Sequence, residues 1–400
     1  MTRPPDRPLD TLDPRALLAA TLGRHHRAID LCVYCPKLCR HVCPVAVEEG
    51  SELSTPWGLM TMLGLVRDGL EAPSPEWGAA LAHCTTCGRC RDACLHGNDV
   101  TEPILAGRAL AQIVAAAPPA AVAAVEGFAA RSARLAARAE ALAGPATASS
   151  RIAYLPGCAA LEADPDGVRR ALRVLARLGV EDVTLFGPRA PGGACCGGPL
   201  RDAGAADAFR AHARGQHEAL RAFDLVVADD PACAAALRAG RPSGARTPVV
   251  RTAAELLAEL VEGDDESESG AGGGAPAVLH VACQARRDGA PAAAARRLVA
   301  ACGLDAAALP DGDRASACCG AGALLPETVP ETARALASHV GAEAERARRG
   351  AAARAGGGGG RGASGGAPLV TTSPRCAVHL RSAGVAVRTL WEIVEEALGA

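Results

Sequence analysis

The chain has 400 residues, with 42 basic and 44 acidic side chains, a formal charge of -2 and only 2% aromatic residues. That length suggests about two to four domains, each large enough to bury a core. Balanced charge and scarce aromatics exclude a basic nucleic-acid tract, a base-stacking platform and electrostatic attraction to an anionic membrane surface. Lys37 is the only lysine, and the Arg, Ala, Gly and Pro content is a compositional bias that carries no binding chemistry.

Met1 to Arg15 is rich in Pro and Asp and has no apolar stretch, so no secretory signal is expected. No run of about 18 apolar residues is free of charge or proline, so no membrane span is expected. The chain is therefore read as cytoplasmic, with any membrane contact peripheral. It contains 17 cysteines. A cytoplasmic chain this rich in thiols is expected to bind metal rather than to be stapled by disulfides.

Residues 1–100 hold eight of these cysteines in two clusters. The second, Cys84-Thr-Thr-Cys87-Gly-Arg-Cys90-Arg-Asp-Ala-Cys94, is C-x2-C-x2-C-x3-C. Three thiolates at this spacing wrap one [4Fe–4S] cluster while the fourth reaches another. Gly88 lets backbone amides approach the sulfurs. Zinc is the alternative, but it usually takes two separated pairs. The first motif, Cys32-Val-Tyr-Cys35-Pro-Lys-Leu-Cys39-Arg-His-Val-Cys43-Pro44, has one extra residue between its second and third Cys. Crossed ligation then assigns Cys32, Cys35, Cys39 and Cys94 to one cluster and Cys84, Cys87, Cys90 and Cys43 to the other. The roughly 40 residues between the motifs, with a helical pattern from Pro56 to Asp68, predict a mainly helical two-cluster domain.

Residues 101–150 are Ala- and Arg-rich and read as a helical linker. Residues 151–262 and 277–400 are two copies of one unit. Each opens on a short apolar strand ending at a lone Cys, Cys158 and Cys283. A helix follows, capped by Asp164-Pro165 in copy one and opened by Pro291 in copy two. Then come Cys195-Cys196-Gly197 and Cys318-Cys319-Gly320, helical segments near 201–221 and 327–349, and strands Phe223 to Ala228 and Pro368 to Thr372. These lead into Asp230-Pro-Ala-Cys233 and Ser373-Pro-Arg-Cys376, and each copy closes on a Val-Arg-Thr segment. From lone Cys to pair, 36 and 34 residues intervene; from pair to last Cys, 36 and 56. The surplus falls on a Gly-rich insert at about 350–366, and residues 263–276 read as a flexible linker. Strand–helix alternation predicts two similar α/β domains.

A lone Cys, a Cys-Cys-Gly and a terminal Cys, twice, behind a two-cluster ferredoxin domain, resemble the CCG-domain (cysteine-rich domain) iron–sulfur proteins. The family includes heterodisulfide reductase subunits, the iron–sulfur subunit of glycolate oxidase and the third subunit of anaerobic glycerol-3-phosphate dehydrogenase. The resemblance covers about residues 30–100 and 150–400. It implies an α+β multidomain chain, in which a helical two-cluster [4Fe–4S] ferredoxin domain precedes two duplicated α/β CCG domains. It also implies ligands Cys158, Cys195, Cys196 and Cys233 in copy one and Cys283, Cys318, Cys319 and Cys376 in copy two. The family's fifth cysteine position holds Ala236 in copy one and His379 in copy two. Four thiolates per copy suit one or two further [4Fe–4S] clusters, or zinc, rather than the family's noncubane assembly. His379 is a fifth candidate ligand.

Other residues have plainer readings. Cys302 reads as a small buried hydrophobe, His83 as a supporting or solvated residue, and His280 as a core histidine. Arg286 and Arg287 read as a solvated helix start, and Trp57 and Trp77 as core. No G-x-G-x-x-G follows a strand, so the flavin or nicotinamide donor is expected on a partner chain. Three functions follow. The favoured one is an iron–sulfur electron-transfer subunit between a flavoprotein dehydrogenase of 2-hydroxy-acid or glycerol-phosphate type and a quinone or other carrier. The second is a heterodisulfide-reductase-like catalyst at a CCG cluster, and the third a zinc-bound interaction module. No catalytic residue is assigned.

Overall fold

The computed structural model describes all residues except 1–13, 36, 38, 144–149, 188–193, 243, 245–246, 263–273, 310–316, 355–366 and 400. The expected linker at 263–276 and the Gly-rich insert thus lie largely outside the described residues.

The N-terminal unit is helical. Thr55 and Ser74 cap helices Pro56–Arg67 and Pro75–Leu81 by accepting from Gly58 N and Trp77 N, and each helix has proline in its first turn. Proline there loses no hydrogen bond, because that amide has no intrahelical partner. Leu59, Met60, Leu63 and Val66 lie within the first of these helices and are buried against Leu22, Ile29, Leu81, Ile104 and Leu110. Each such side chain contributes about 1.5–3 kcal/mol by leaving water. The expected linker at 101–150 is thereby revised. Helix Thr101–Ile113 packs into this core through Ile104 and Leu110, because its apolar face is continuous with that of Pro56–Arg67. Helix Phe128–Leu142 instead packs against copy one.

Each copy is a four-stranded parallel sheet. Copy one has β1 (Ile152–Leu155), β2 (Val183–Leu185), β3 (Leu225–Ala228) and β4 (Val249–Thr252), in the order β2-β1-β3-β4. Copy two has β5 (Ala275–His280), β6 (Leu304–Ala308), β7 (Leu369–Thr371) and β8 (Arg388–Thr389), in the order β6-β5-β7-β8. Parallel neighbours require crossover connections, which the intervening helices supply. In both sheets the order reverses between the first and third strands. A crevice therefore opens at their carboxyl ends, where such folds hold ligands.

The copies exchange packing symmetrically. Copy one's closing helix, Ala253–Glu262, packs on Ala290–Ala301 of copy two, and copy two's closing helix, Leu390–Ala397, packs on Pro165–Arg177 of copy one. The helix opened by Cys158 packs on the one carrying Cys376, and the helix carrying Cys233 packs on the one opened by Cys283. One apolar cluster, including Tyr154, Leu161, Val168, Val278, Leu298 and Trp391, runs through both. The exchange turns both crevices toward the seam between the copies.

Candidate metal centres

Cys32 lies near the end of helix His26–Val33, Cys35 and Cys39 lie on the chain that follows, and Cys94 comes from just beyond the short helix Arg89–Asp92. These four thiols and Cys90 line one cavity of about 140 Å³ together with Trp57, His96 and Asn98. The extra residue of the first motif falls where Lys37 adopts a left-handed conformation, φ 66°. Asn98 Nδ2 donates to Cys32 Sγ at 3.0 Å and to Ala28 O at 2.8 Å. Burial raises the Cys32 thiol to about 11, with further upward pushes from Cys39, Cys94 and Cys35. Trp57 is not core: it lines this cavity, donates to Val33 O at 3.2 Å and lies 3.7 Å beneath the Lys37 ammonium.

A second group forms where Cys43, at the start of helix Pro44–Glu49, meets Cys84, Cys87 and Cys90. Cys43 is raised to about 12 by burial first and then by Cys87 and Cys84; Cys90 is raised by burial and by Cys87, Cys84 and Cys43. Thr86 holds a left-handed conformation, φ 53°, rare for a β-branched residue. Its amide thereby reaches Cys84 Sγ at 3.4 Å. His83, the residue before Cys84, bonds Glu49 at 2.7 Å. Burial pushes the Glu49 carboxyl up, but hydrogen bonds from Ser54, Thr332 and His83 outweigh it and hold it below the usual range.

In each copy the chain order places the thiols at the carboxyl ends of the strands. Cys158 opens the helix after β1, and Cys233 sits in the first turn after β3. Cys283 and Cys376 take the same places after β5 and β7. The paired cysteines end in Gly197 and Gly320, at φ 80° and 84°. A Cβ there would stand 2.7 Å from His212 Cδ2 or 2.6 Å from Ala333 O, so only glycine fits. The amides beyond these pairs serve the sulfurs: Gly198 bonds Cys196, Gly320 bonds Cys318, and Ala321 bonds Cys319. Cys319 and Cys376 sulfurs lie 3.1 Å apart. His280 is buried, bonding Thr371 Oγ1 and donating to Ala317 O at 3.0 Å, which fixes the residue before Cys318. Burial lowers its pKa to about 4 and keeps it neutral.

The N-terminal unit docks on copy two through its second motif. Cys87 and Cys318 share a hydrogen bond that lowers the Cys87 thiol and raises Cys318. Gln284 and Arg287 donate to Thr86 O, and Arg286 to Cys87 O at 2.8 Å. Arg286 also pairs with Asp92, and Arg287 with Asp99 at 3.1 Å. These arginines are therefore not a solvated helix start, and the Arg286 side chain is only 5% exposed. The carbonyls and carboxylates of the docked motif replace water around them.

His379 lies in a cavity with Cys158, Glu162 and Arg375, and its Nε2 donates to Ala333 O at 3.0 Å. Cys283, Cys318, Cys319 and Cys376 line a different cavity, of about 60 Å³, with Thr85, Asp230 and Ala236. Cys302 caps its helix at the edge of the shared core. Three sites escaped the sequence reading. Arg108, 6% exposed, donates to Leu81 and Cys84 carbonyls of the N-terminal unit, Asp202 O of copy one and Ala323 O of copy two. Asp229 accepts from Tyr154 OH and from Trp391 Nε1 across the seam, both at 2.8 Å. Arg375 of copy two pairs with Asp230 of copy one at 3.2 Å. Only Asp230, as a helix cap before Pro231, carried a sequence signal.

All 17 cysteines are unbridged. Among the described residues no three Cys, His, Asp or Glu side chains stand at single-ion ligating distance. Buried thiols with amide donors and a nearby guanidinium are the donor set that iron–sulfur groups use. Comparison with known proteins agrees with that chemistry. The 4Fe-4S dicluster domain family matches residues 28–98, and the cysteine-rich (CCG) domain family matches residues 152–238 and 277–381. No curated protein matches the chain. The dicluster unit followed by two CCG units places this chain among the CCG-domain iron–sulfur proteins, with electron transfer as its general role.

Proposed function

We propose that the protein is the iron–sulfur subunit of an oxidoreductase complex, passing electrons from a flavoprotein dehydrogenase of 2-hydroxy-acid or glycerol-phosphate type to a quinone or other carrier. Cys32, Cys35, Cys39 and Cys94 hold one [4Fe–4S] cluster, and Cys43, Cys84, Cys87 and Cys90 hold the other. Cys158, Cys195, Cys196 and Cys233, and Cys283, Cys318, Cys319 and Cys376, hold one further centre per copy. These clusters supply one-electron chemistry. The chain's part is to hold them close, bury them and bias them with amides and arginines.

The docking of the second motif on copy two carries this reading: Arg286 donates to Cys87 O at 2.8 Å, and Cys318 Sγ lies 3.7 Å from Thr85 Oγ1, beside Cys84. These contacts support a continuous path from the N-terminal unit into copy two. The flavoprotein and the quinone are supported by the family resemblance. No described helix is long and apolar enough to cross a membrane; in this proposal a membrane-held acceptor is reached through a partner.

Cys196→Ser and Cys319→Ser should each remove one centre by electron paramagnetic resonance and spare the N-terminal clusters. Full iron in both variants would show that the CCG ligands are wrongly assigned. The donor is tested on the complex purified anaerobically with its flavoprotein. Bleaching of iron–sulfur absorbance on adding a 2-hydroxy acid or glycerol phosphate supports it; no bleaching with flavin present removes it.

A further inference from the structure

The ion pair between Arg375 and Asp230 crosses the seam between the copies. Arg375 immediately precedes Cys376, whereas the matching position before Cys233 is Ala232. Arg375 Nε lies 3.2 Å from Asp230 Oδ2, and the two side chains are 20% and 5% exposed. The other Asp230 oxygen accepts from Ala232 N at 2.8 Å and caps the helix carrying Cys233. Arg375 therefore faces both copies: it lines one cavity with Cys158 and, together with Asp230, a second with Cys283, Cys318, Cys319 and Cys376.

The surroundings fix the sign of its effect. The Arg375 cation shares a cavity with Cys158, and Asp230 caps the helix carrying Cys233 and lies with Cys233 Sγ against Gly157. Half-buried Asp202 also faces Arg375, in a cavity with Arg201. Arg286 and Arg287, which follow Cys283, are bound to Cys87 O and Asp99 in the N-terminal docking seam.

We infer that Arg375 and Asp230 are a charge-tuning pair that sets the reduction potential of the copy-one centre from copy two. Reduction adds one electron to the centre and makes it more negative by one charge. A fixed cation beside it stabilises that added charge, and a fixed anion destabilises it. Arg375 therefore raises the potential and Asp230 lowers it. The inference rests on the proposed iron–sulfur function.

The test is a redox titration of the whole anaerobic protein, with dithionite as reductant, followed by electron paramagnetic resonance. The copy-one signal is the one that Cys196→Ser removes. Arg375→Gln should lower its midpoint by at least tenfold in the one-electron equilibrium, about 59 mV. Asp230→Asn keeps the helix cap and should raise the midpoint. Arg375→Lys keeps the charge and should leave it within about threefold, and the N-terminal signals should not move in any variant. An unmoved copy-one midpoint in Arg375→Gln and Asp230→Asn, or a shift in the same direction in both, overturns the tuning pair alone. A wild-type protein with no signal removed by Cys196→Ser overturns the proposed function and this inference with it.

Discussion

Replacing Arg108 with Met removes one buried cation that joins the three units. The guanidinium donates to Leu81 O at 3.1 and 2.9 Å, Cys84 O at 2.6 Å, Asp202 O at 2.9 Å and Ala323 O at 3.3 Å. Met keeps an unbranched apolar stem but is shorter and donates nothing. A hydrogen bond from a charged group contributes about 1.5–3 kcal/mol. The bonds to Asp202 and Ala323, one in each copy, therefore account for about 3–6 kcal/mol. Relief of the burial that already lowers the Arg108 pKa, and water entering the gap, offset part of this. A net loss of about 3 kcal/mol corresponds to roughly hundredfold faster local opening. Hydrogen exchange of the intact, cluster-loaded protein reads it directly. Peptides covering 200–206 and 321–326 should lose about hundredfold protection, while the sheets keep theirs. Unchanged protection in both peptides would refute the claim that Arg108 clamps the units together.

The Asp229 carboxyl is raised to about 7 by burial first, against hydrogen bonds from Trp391 and Tyr154. Its folded pKa exceeds the unfolded value of about 3.9, so the stability it contributes is full below that pH and is lost as pH rises through 7. Asp229→Asn should gain on the wild type by up to about 4 kcal/mol above pH 7; denaturation midpoints at pH 5 and pH 8 check this, and a gain no larger at pH 8 counts against it. Gly320→Ala forces a Cβ to within 2.6 Å of Ala333 O at φ 84° and should lower iron in copy two selectively, read by metal analysis. Iron equal to wild type would mean that the Cys-Cys-Gly turn tolerates a side chain. Arg286→Met removes the bond to Cys87 O and the pair with Asp92, and should speed exchange at 84–92 about tenfold. Unchanged exchange there would show that Arg286 does not hold the docked motif.

The duplication was legible because the thiols must recur at fixed places on a repeated α/β unit. Cys158 and Cys283 follow first strands, Cys233 and Cys376 follow third strands, and prolines mark the helix starts between them. The closing strands were harder. Their signal was the Thr252-Ala-Ala-Glu255 and Thr389-Leu-Trp-Glu392 pattern, in which Thr and Glu satisfy each other's backbone amides at the helix start. β6, Leu304–Ala308, is mostly alanine and has no β-branched residue to mark it; its pairing with β5 decides it. Arg108 looked like one more arginine in an Ala/Arg-rich helix, since only tertiary packing puts four carbonyls around its head. Arg286 and Arg287 were misread for the same reason: their partners, Asp92 and Asp99, are about 190 residues away in the chain.

The most direct test of the whole account is iron and acid-labile sulfide analysis of the intact protein, purified and reconstituted without oxygen. Two [4Fe–4S] clusters alone give about eight of each per chain, and the account predicts more than that, with brown colour and no stoichiometric zinc. A colourless protein without iron or sulfide, or one whose iron stops at about eight while zinc fills the rest, would contradict it.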